Sequence, residues 1–264
     1  MTDKSYQIQI DSNELVEVAV ISSIGDRADQ QDSFGILLKE TEGMVVVCDG
    51  MGGYSNGAKA SKTAVNCCLK KYDEMYPIDD YITFLTECTN MSNELICNIK
   101  DESGKNIVSG STLVSLAVTK EGAFWNSVGD SRLYFVRNEE IIQITQDQNY
   151  STVLKEQLKA GVIDEKEYEK ESKKGEALIS YLGMKKSPLI DYNETPLILQ
   201  HDDKFIIASD GLYKVLDENQ ILNIITNFIN INDSAQAFEL KAQNCSKEKS
   251  IRRDNMTIAL IRIK

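Results

Sequence analysis

One histidine in 264 residues removes whole classes of chemistry before any motif is weighed. His201 stands in the polar stretch Gln200-His201-Asp202-Asp203, which reads as a solvated turn, so imidazole-based zinc sites and Ser-His-Asp triads have nothing to build on. Cys48, Cys67, Cys68, Cys88, Cys97 and Cys245 show no C-x-x-C spacing and lie mostly in apolar, helix-like segments, so they read as reduced core residues. Proline, at three residues, is too rare for a proline-rich or disordered segment. No apolar run approaches the roughly 20 residues of a membrane helix. The opening MTDKSYQIQIDSNE is too polar for a signal peptide, and a cytoplasmic chain without a membrane partner is expected. Positive charge is also short: 29 Lys+Arg against 41 Asp+Glu leave a net −12, which excludes nucleic acid as the expected partner because phosphate-backbone binding needs clustered cations.

What remains is an ordinary globular composition, 42% hydrophobic and 27% charged, with no linker to divide it. One domain over residues 1–264 is expected. Strands are predicted at 14–24, 34–38 and 43–49, and a loop dense in carboxylates, 25–33, joins the first two. Apolar residues three and four apart predict a helix over 57–76, ended by Pro77, and a second over 78–101. Strands at 111–119, 123–128, 132–138 and 140–145 describe an antiparallel meander. The stretch 147–188 is polar and helix-prone, broken by Gly161 and Gly175. A strand from Lys204, helices near 219–229 and 234–243, and a last strand MTIALIRIK complete the chain.

Within this pattern Val45-Val46-Val47-Cys48-Asp49-Gly50-Met51-Gly52-Gly53 is a buried strand that stops abruptly at an aspartate and glycines. A single Asp-Gly of this kind is more often a plain hairpin turn. The pattern recurs, however: Asp130 follows the strand ending at Val128, Asp210 follows the strand from Lys204, and Asp254 precedes the last strand. Carboxylates gathered at one rim raise one another's pKa unless a cation is present. With no histidine or suitably spaced cysteine the ligands would be oxygen alone, which favours Mg2+ or Mn2+. Two such ions about 3.5–4 Å apart would acidify a bridging water and hold a phosphoryl group for in-line attack.

The ordered motifs R-x-x-x-x-D at 27–32, D-G-M-G-G at 49–53 with Gly57 and Ala60-Ser61 following, S-G-S-T at 109–112, V-G-D-S-R-x-Y at 128–134, T-x-D at 145–147, L-G at 182–183, S-D-G-L at 209–212 and D-N-x-T at 254–257 resemble the metal-dependent protein phosphatase family of 2C type in its bacterial form. The resemblance implies an α+β fold, a four-layer α/β/β/α sandwich of two stacked antiparallel sheets flanked by helix pairs, with residues 147–188 as a flap. It implies that Asp49 bridges two Mn2+ or Mg2+ ions, that the Gly50 carbonyl binds one and that Asp210 and Asp254 ligate the other. Asp32 would hold metal-bound water, Asp130 with Asp210 would form a third, weaker site, and Arg27 would bind the substrate phosphate. The implied reaction is hydrolysis of phosphoserine or phosphothreonine on proteins, without a phosphoenzyme, by a monomer acting on substrates of a Ser/Thr kinase. Departures stand at Gln30-Gln31, at Met51 and Tyr54 where relatives carry histidine, at Gln148-Asn149 in place of His-Ser, and in a flap without its usual arginine before L-G. They motivate the alternative of a phosphatase-like regulatory or binding module with little turnover.

Overall fold

The computed structural model describes residues 6–52, 56–101, 103–228 and 230–264. The chain opens with strands β1 (Tyr6–Ser12), β2 (Val16–Ser23), β3 (Asp32–Leu38) and β4 (Gly43–Met51), followed by helices α1 (Asn56–Met75) and α2 (Tyr81–Cys97). Strands β5 (Gly110–Ser111), β6 (Leu113–Thr119), β7 (Gly122–Val128), β8 (Arg132–Arg137) and β9 (Glu140–Gln143) form the meander, and α3 (Tyr150–Lys159) and α4 (Glu165–Glu171) occupy the polar stretch. Then come β10 (Asp191–Tyr192), β11 (Lys204–Ala208), α5 (Asp210–Tyr213), α6 (Glu218–Asn227), α7 (Ile231–Lys249) and β12 (Met256–Ile263).

The strands pair antiparallel into two sheets, ordered β1-β2-β12-β11-β8-β9 and β10-β7-β6-β4-β3, with β5 beside β4. Antiparallel strands usually alternate apolar and polar, yet β4 is buried at every position from Gly43 to Cys48. Both of its faces are covered. Val45 and Val47 join Val20, Leu116, Leu133, Phe205 and Ile207 in the core between the sheets. Met44, Val46 and Cys48 face Ala60, Ala64, Cys68, Tyr72 and Phe84 of α1 and α2. On the far side Tyr134, Ile206 and Ile258 meet Ile221, Ile225 and Phe238 of α6 and α7. Three cores thus bind four layers, the α/β/β/α sandwich expected from the motifs.

Several boundaries differ from the sequence expectation. Helix α2 starts late because Asp80 caps it, accepting from the Ile82 and Thr83 amides at 3.1 Å each. It ends at Cys97, short of Asp101, whose carboxylate accepts from the Ser103 and Lys105 amides and turns the chain. Helix α7 is longer than expected, running from the Asn230 cap to Ser250 in the left-handed region, φ 54°. Ile229, the expected end of α6, lies outside the described residues, as do Gly53 and Tyr54. Strands β1 and β10 and the short α5 were not anticipated, and the expected 111–119 strand is divided into β5 and β6. The 147–188 stretch has the thin apolar face that its polarity implies: Leu154 is the buried residue of α3 and α4 has none. Among the described residues no helix is long and apolar enough to cross a membrane.

Candidate metal centre and its cleft

Register brings the strand-end aspartates to one end of the sandwich. Asp32 and Asp49 are opposed across β3 and β4, so their side chains share a face. In the other sheet Ala208 pairs with both Ile258 and Arg132, which sets the end of β11, where Asp210 follows, beside the starts of β12 and β8, which Asp254 and Asp130 precede. The parity is informative. Val45, Val47 and Asp49 point into the inter-sheet layer, as do Phe205, Ile207 and Ser209, so the apolar core becomes polar at its rim. Ser209 joins the sheets by donating its hydroxyl to Asp32 Oδ2 at 2.8 Å.

Backbone and side-chain bonds fix each aspartate. The Asp49 amide donates to Thr112 Oγ1 at 2.9 Å, and the Asp49 carbonyl accepts from the Thr112 amide at 2.8 Å and the Ser111 hydroxyl at 3.1 Å. That is the physical content of S-G-S-T. A methyl group on Gly50 would lie 2.1 Å from the Gly57 carbonyl oxygen and 2.5 Å from that of Gln31, so only glycine leaves room for this turn. Asn255, 6% exposed, accepts from the Gln31 amide and donates to the Ile24 and Asp29 carbonyls, tying the Arg27 loop to the Asp254 loop. Gly25 is needed at φ +63°, where a Cβ would meet the Asp254 carbonyl oxygen at 2.2 Å. Tyr213 donates to the Asp130 carbonyl at 2.9 Å, and its ring carries the Arg132 guanidinium at 3.6 Å, which Asp147 of T-x-D holds at 2.8 Å.

The departures from the family pattern have local jobs. Gln30 donates to Ser22 Oγ and the Ser23 carbonyl and accepts from the Asp32 amide, which orients Asp32. The Gln148 side chain accepts from the Gly129 amide at 2.9 Å, next to Asp130, and Asn149 caps α3.

Burial pushes the Asp32 carboxyl up to about 7, the Ser209 hydrogen bond opposing, and Asp210 and Asp254 adding to the rise. Asp49 is pushed well above the carboxylate range by burial and then by Asp32, Asp210, Asp130 and Asp254. Asp130 reaches about 6 through burial and Asp210, and burial also raises Asp210 against the pull of Lys214. These are carboxylates short of counter-charge. Asp49, Gly50, Asp130, Asp210, Asp254 and Arg27 all line one cleft of about 780 Å³. Asp32 lies beneath it, 6% exposed, and its Oδ1 has no hydrogen-bond partner among the described residues. Met51 lines the same cleft and offers no proton.

As the side chains stand, no group of three or more carboxylate, cysteine or histidine side chains among the described residues is set to hold one ion. Two protein cations instead sit on two of the carboxylates. Arg27 Nη2 lies 2.5 Å from Asp254 Oδ2, and Lys214 Nζ lies 2.7 Å from Asp210 Oδ2 and 3.4 Å from Glu176 of the 147–188 stretch. The all-oxygen donor set, the orphaned Asp32 Oδ1 and the raised carboxyl pKa values fit a hard divalent cation once those cations yield. Lys214 and Glu176 were not singled out from the sequence; Lys214 stands four residues after Asp210 on a helical turn, the spacing at which a lysine and a carboxylate meet. If Lys214 competes with metal for Asp210, Lys214→Ala tightens Mn2+ binding by about tenfold in isothermal titration. An unchanged or weaker affinity would rule that competition out.

The model of the family described as protein phosphatase 2C matches residues 22–245. The serine/threonine phosphatase stp of Listeria welshimeri is 27% identical over 240 residues, 89% of this chain and 90% of that protein. The S. agalactiae serine/threonine phosphatase structure superposes with a TM-score of 0.81 at 22% identity, covering 94% of this chain and 100% of the other. The catalytic domain of the serine/threonine protein phosphatase PstP in complex with two manganese ions gives a TM-score of 0.73 at 23% identity, covering 94% and 98%.

Proposed function

The chain belongs to the protein phosphatase 2C family, and from that premise we propose that it is a serine/threonine protein phosphatase dependent on Mn2+ or Mg2+. One observation carries the reading: five aspartates and an arginine, placed by the family's motifs in the family's order, gather at one end of the sandwich around a single cleft. Asp49, the Gly50 carbonyl, Asp210 and Asp254 are the groups to hold two ions, and Asp130 with Asp210 the groups for a third. The PstP catalytic domain, which has the same fold, was solved with two manganese ions. Bound ions would supply an acidified water and charge neutralisation at the phosphoryl oxygens.

The chain's own residues do the rest. Arg27, at the cleft mouth and half-exposed, can leave Asp254 to fork onto two phosphate oxygens, which orients the phosphorus for in-line approach. Asp32, at the floor of the cleft with one oxygen held by Ser209, is the group to hold the attacking water. In this reading transfer goes to water, without a phosphoenzyme. Met51 leaves the departing alkoxide to take its proton from solvent. The chain acts in this reading as one catalytic domain, a cytoplasmic monomer with 147–188 as its flap, reversing a Ser/Thr kinase.

The test is phosphate release from a phosphothreonine peptide and an aryl phosphate. Release is expected with Mn2+, none with chelator, and little from Asp210→Asn. In the same assay Arg27→Ala chiefly raises KM, by about tenfold or more. A folded wild type that releases nothing from either substrate with Mn2+ would leave the regulatory-module alternative standing.

A further inference from the structure

The catalytic cleft continues past Met51. Met51, Gly52 and Tyr181 also bound a second groove of about 580 Å³, walled on one side by residues 106–110 and on the other by 183–185. Its chemistry is the opposite of its neighbour's. In a chain of net charge −12 the groove holds no carboxylate among its described lining residues; Lys185 is the charged side chain there, and Ile107, Val108, Met184 and Tyr181 give it an apolar lining. Val108 is 91% exposed.

The walls are held in place by bonds that owe nothing to a ligand. Ser111 and Leu182 exchange amide-to-carbonyl bonds at 3.0 and 2.8 Å. The Gly183 amide donates to Asn93 Oδ1 at 2.7 Å, and the Met184 carbonyl accepts from Asn93 Nδ2 and the Cys97 thiol at 3.3 and 3.4 Å. Helix α2 therefore pins the 183–184 wall, and a ligand entering the groove would not have to order it. The Ser109 hydroxyl behind the facing wall is buried and lacks a hydrogen-bond partner among the described residues.

We propose that this groove takes an apolar side chain of the phosphoprotein substrate, a few residues from the phosphorylated one, and so selects the sequence around the phosphosite. The occupant follows from continuity: the groove shares Met51, Gly52 and Tyr181 with the cleft proposed to receive the phosphate, so a chain that leaves the cleft past Met51 runs along the groove. Leucine-like residues fit the lining formed by Ile107, Val108, Met184 and Tyr181.

The inference rests on the phosphatase reading, and the experiment separates the two. The kcat/KM with Mn2+ is measured for two phosphothreonine peptides, one with leucine at the second and third positions on either side and one with serine there, beside p-nitrophenyl phosphate. Wild type should favour the leucine peptide by about tenfold or more. Val108→Asp, at an exposed position, and Met184→Gln should each remove most of that preference while p-nitrophenyl phosphate turnover stays at the wild-type level. No release from any substrate defeats the phosphatase reading itself. Release from p-nitrophenyl phosphate with equal peptide rates, or a preference that both variants leave intact, overturns the groove's role alone. A wild-type dimer that Val108→Asp makes monomeric, with no peptide preference, would assign the groove to a second copy and also overturn it.

Discussion

Asp49→Asn is expected to cut Mn2+-dependent phosphate release by roughly a thousandfold or more while making the metal-free protein more stable, not less. Both effects come from one buried charge. Burial holds the Asp49 carboxyl well above its ordinary range, and Asp32, Asp210, Asp130 and Asp254 push it further. Asparagine keeps the shape and removes the charge. It also removes a carboxylate that, in the proposed reading, would hold the metal ions. The pH dependence carries the same sign. Asp32 titrates near 7 in the fold against 3.8 as its unperturbed value, so between those values the folded state binds more protons than the unfolded one. This contribution to metal-free stability is present in full below about pH 4, is lost as pH rises to about 7, and is flat beyond. Thermal unfolding in chelator should therefore show wild type falling in Tm as pH climbs through that interval, and Asp49→Asn lying a few degrees higher, on the order expected for a relieved buried charge. Added Mn2+ should raise the wild-type Tm and leave the variant's nearly unmoved. A chelated variant less stable than wild type, or one that still responds to Mn2+ as wild type does, would sink this account of Asp49.

How much of this was legible without coordinates depended on whether a residue's role is local. Asp49, Asp130, Asp210 and Asp254 could be found because each marks where an apolar strand stops, and a strand end can be read along the chain. That they share one rim followed only as an expectation, and the register of β3 on β4 and of β11 on β12 and β8 supplies it. Gly25 could not be read that way. Its need for a bare Cα arises against the Asp254 carbonyl, 229 residues further on as the numbering runs. Asn255 and Ser209 stood inside recognised motifs, yet their work, holding the Arg27 loop and bridging the sheets, is tertiary. Strand β1 was missed for a different reason. It is an edge strand with one half-wet face, so Gln7 and Gln9 alternate with Tyr6, Ile8 and Ile10, and Ile10 is itself 54% exposed. A short alternation at a polar terminus carries little signal. Lys214, four residues after Asp210, carried a readable spacing though it was not singled out, whereas Glu176 needed the approach of the 147–188 stretch to the Asp210 turn, which no spacing rule encodes.

Breaking the ion pair beneath the Asp254 loop should cost the fold more than any other single change to its polar residues. Arg253 Nη2 lies 2.7 Å from Glu239 Oε2 on α7, with side-chain exposures of 9% and 2%. The surroundings are built to receive them: Glu239 Oε1 accepts from Ser23 Oγ at 3.2 Å and from Gln243 Nε2 at 2.8 Å, and Arg253 also donates to Ser23 Oγ at 3.1 Å. Arg253→Ala strands a buried carboxylate, for which about 3–5 kcal/mol of destabilisation is expected. Replacing both partners, Arg253→Met with Glu239→Leu, removes the stranded charge and should recover most of that loss, because a buried pair offsets little more than its own desolvation. Denaturant midpoints of Arg253→Met, Glu239→Leu and the double variant, beside wild type, decide this as a cycle. The pair has a second consequence, since the Arg253 backbone amide donates to Asp26 Oδ2 at 2.8 Å and its carbonyl accepts from the Asp26 amide at 3.1 Å, one residue from both Asp254 and Arg27. If the pair serves only stability, the double variant binds Mn2+ like wild type. If it also holds Asp254 in place, the double variant is stable and yet binds Mn2+ about ten- to a hundredfold more weakly, the effect of losing the support behind a ligand. We expect the second result, because the side chain that Glu239 holds belongs to Arg253, whose main chain pairs with Asp26 beside Asp254 and Arg27.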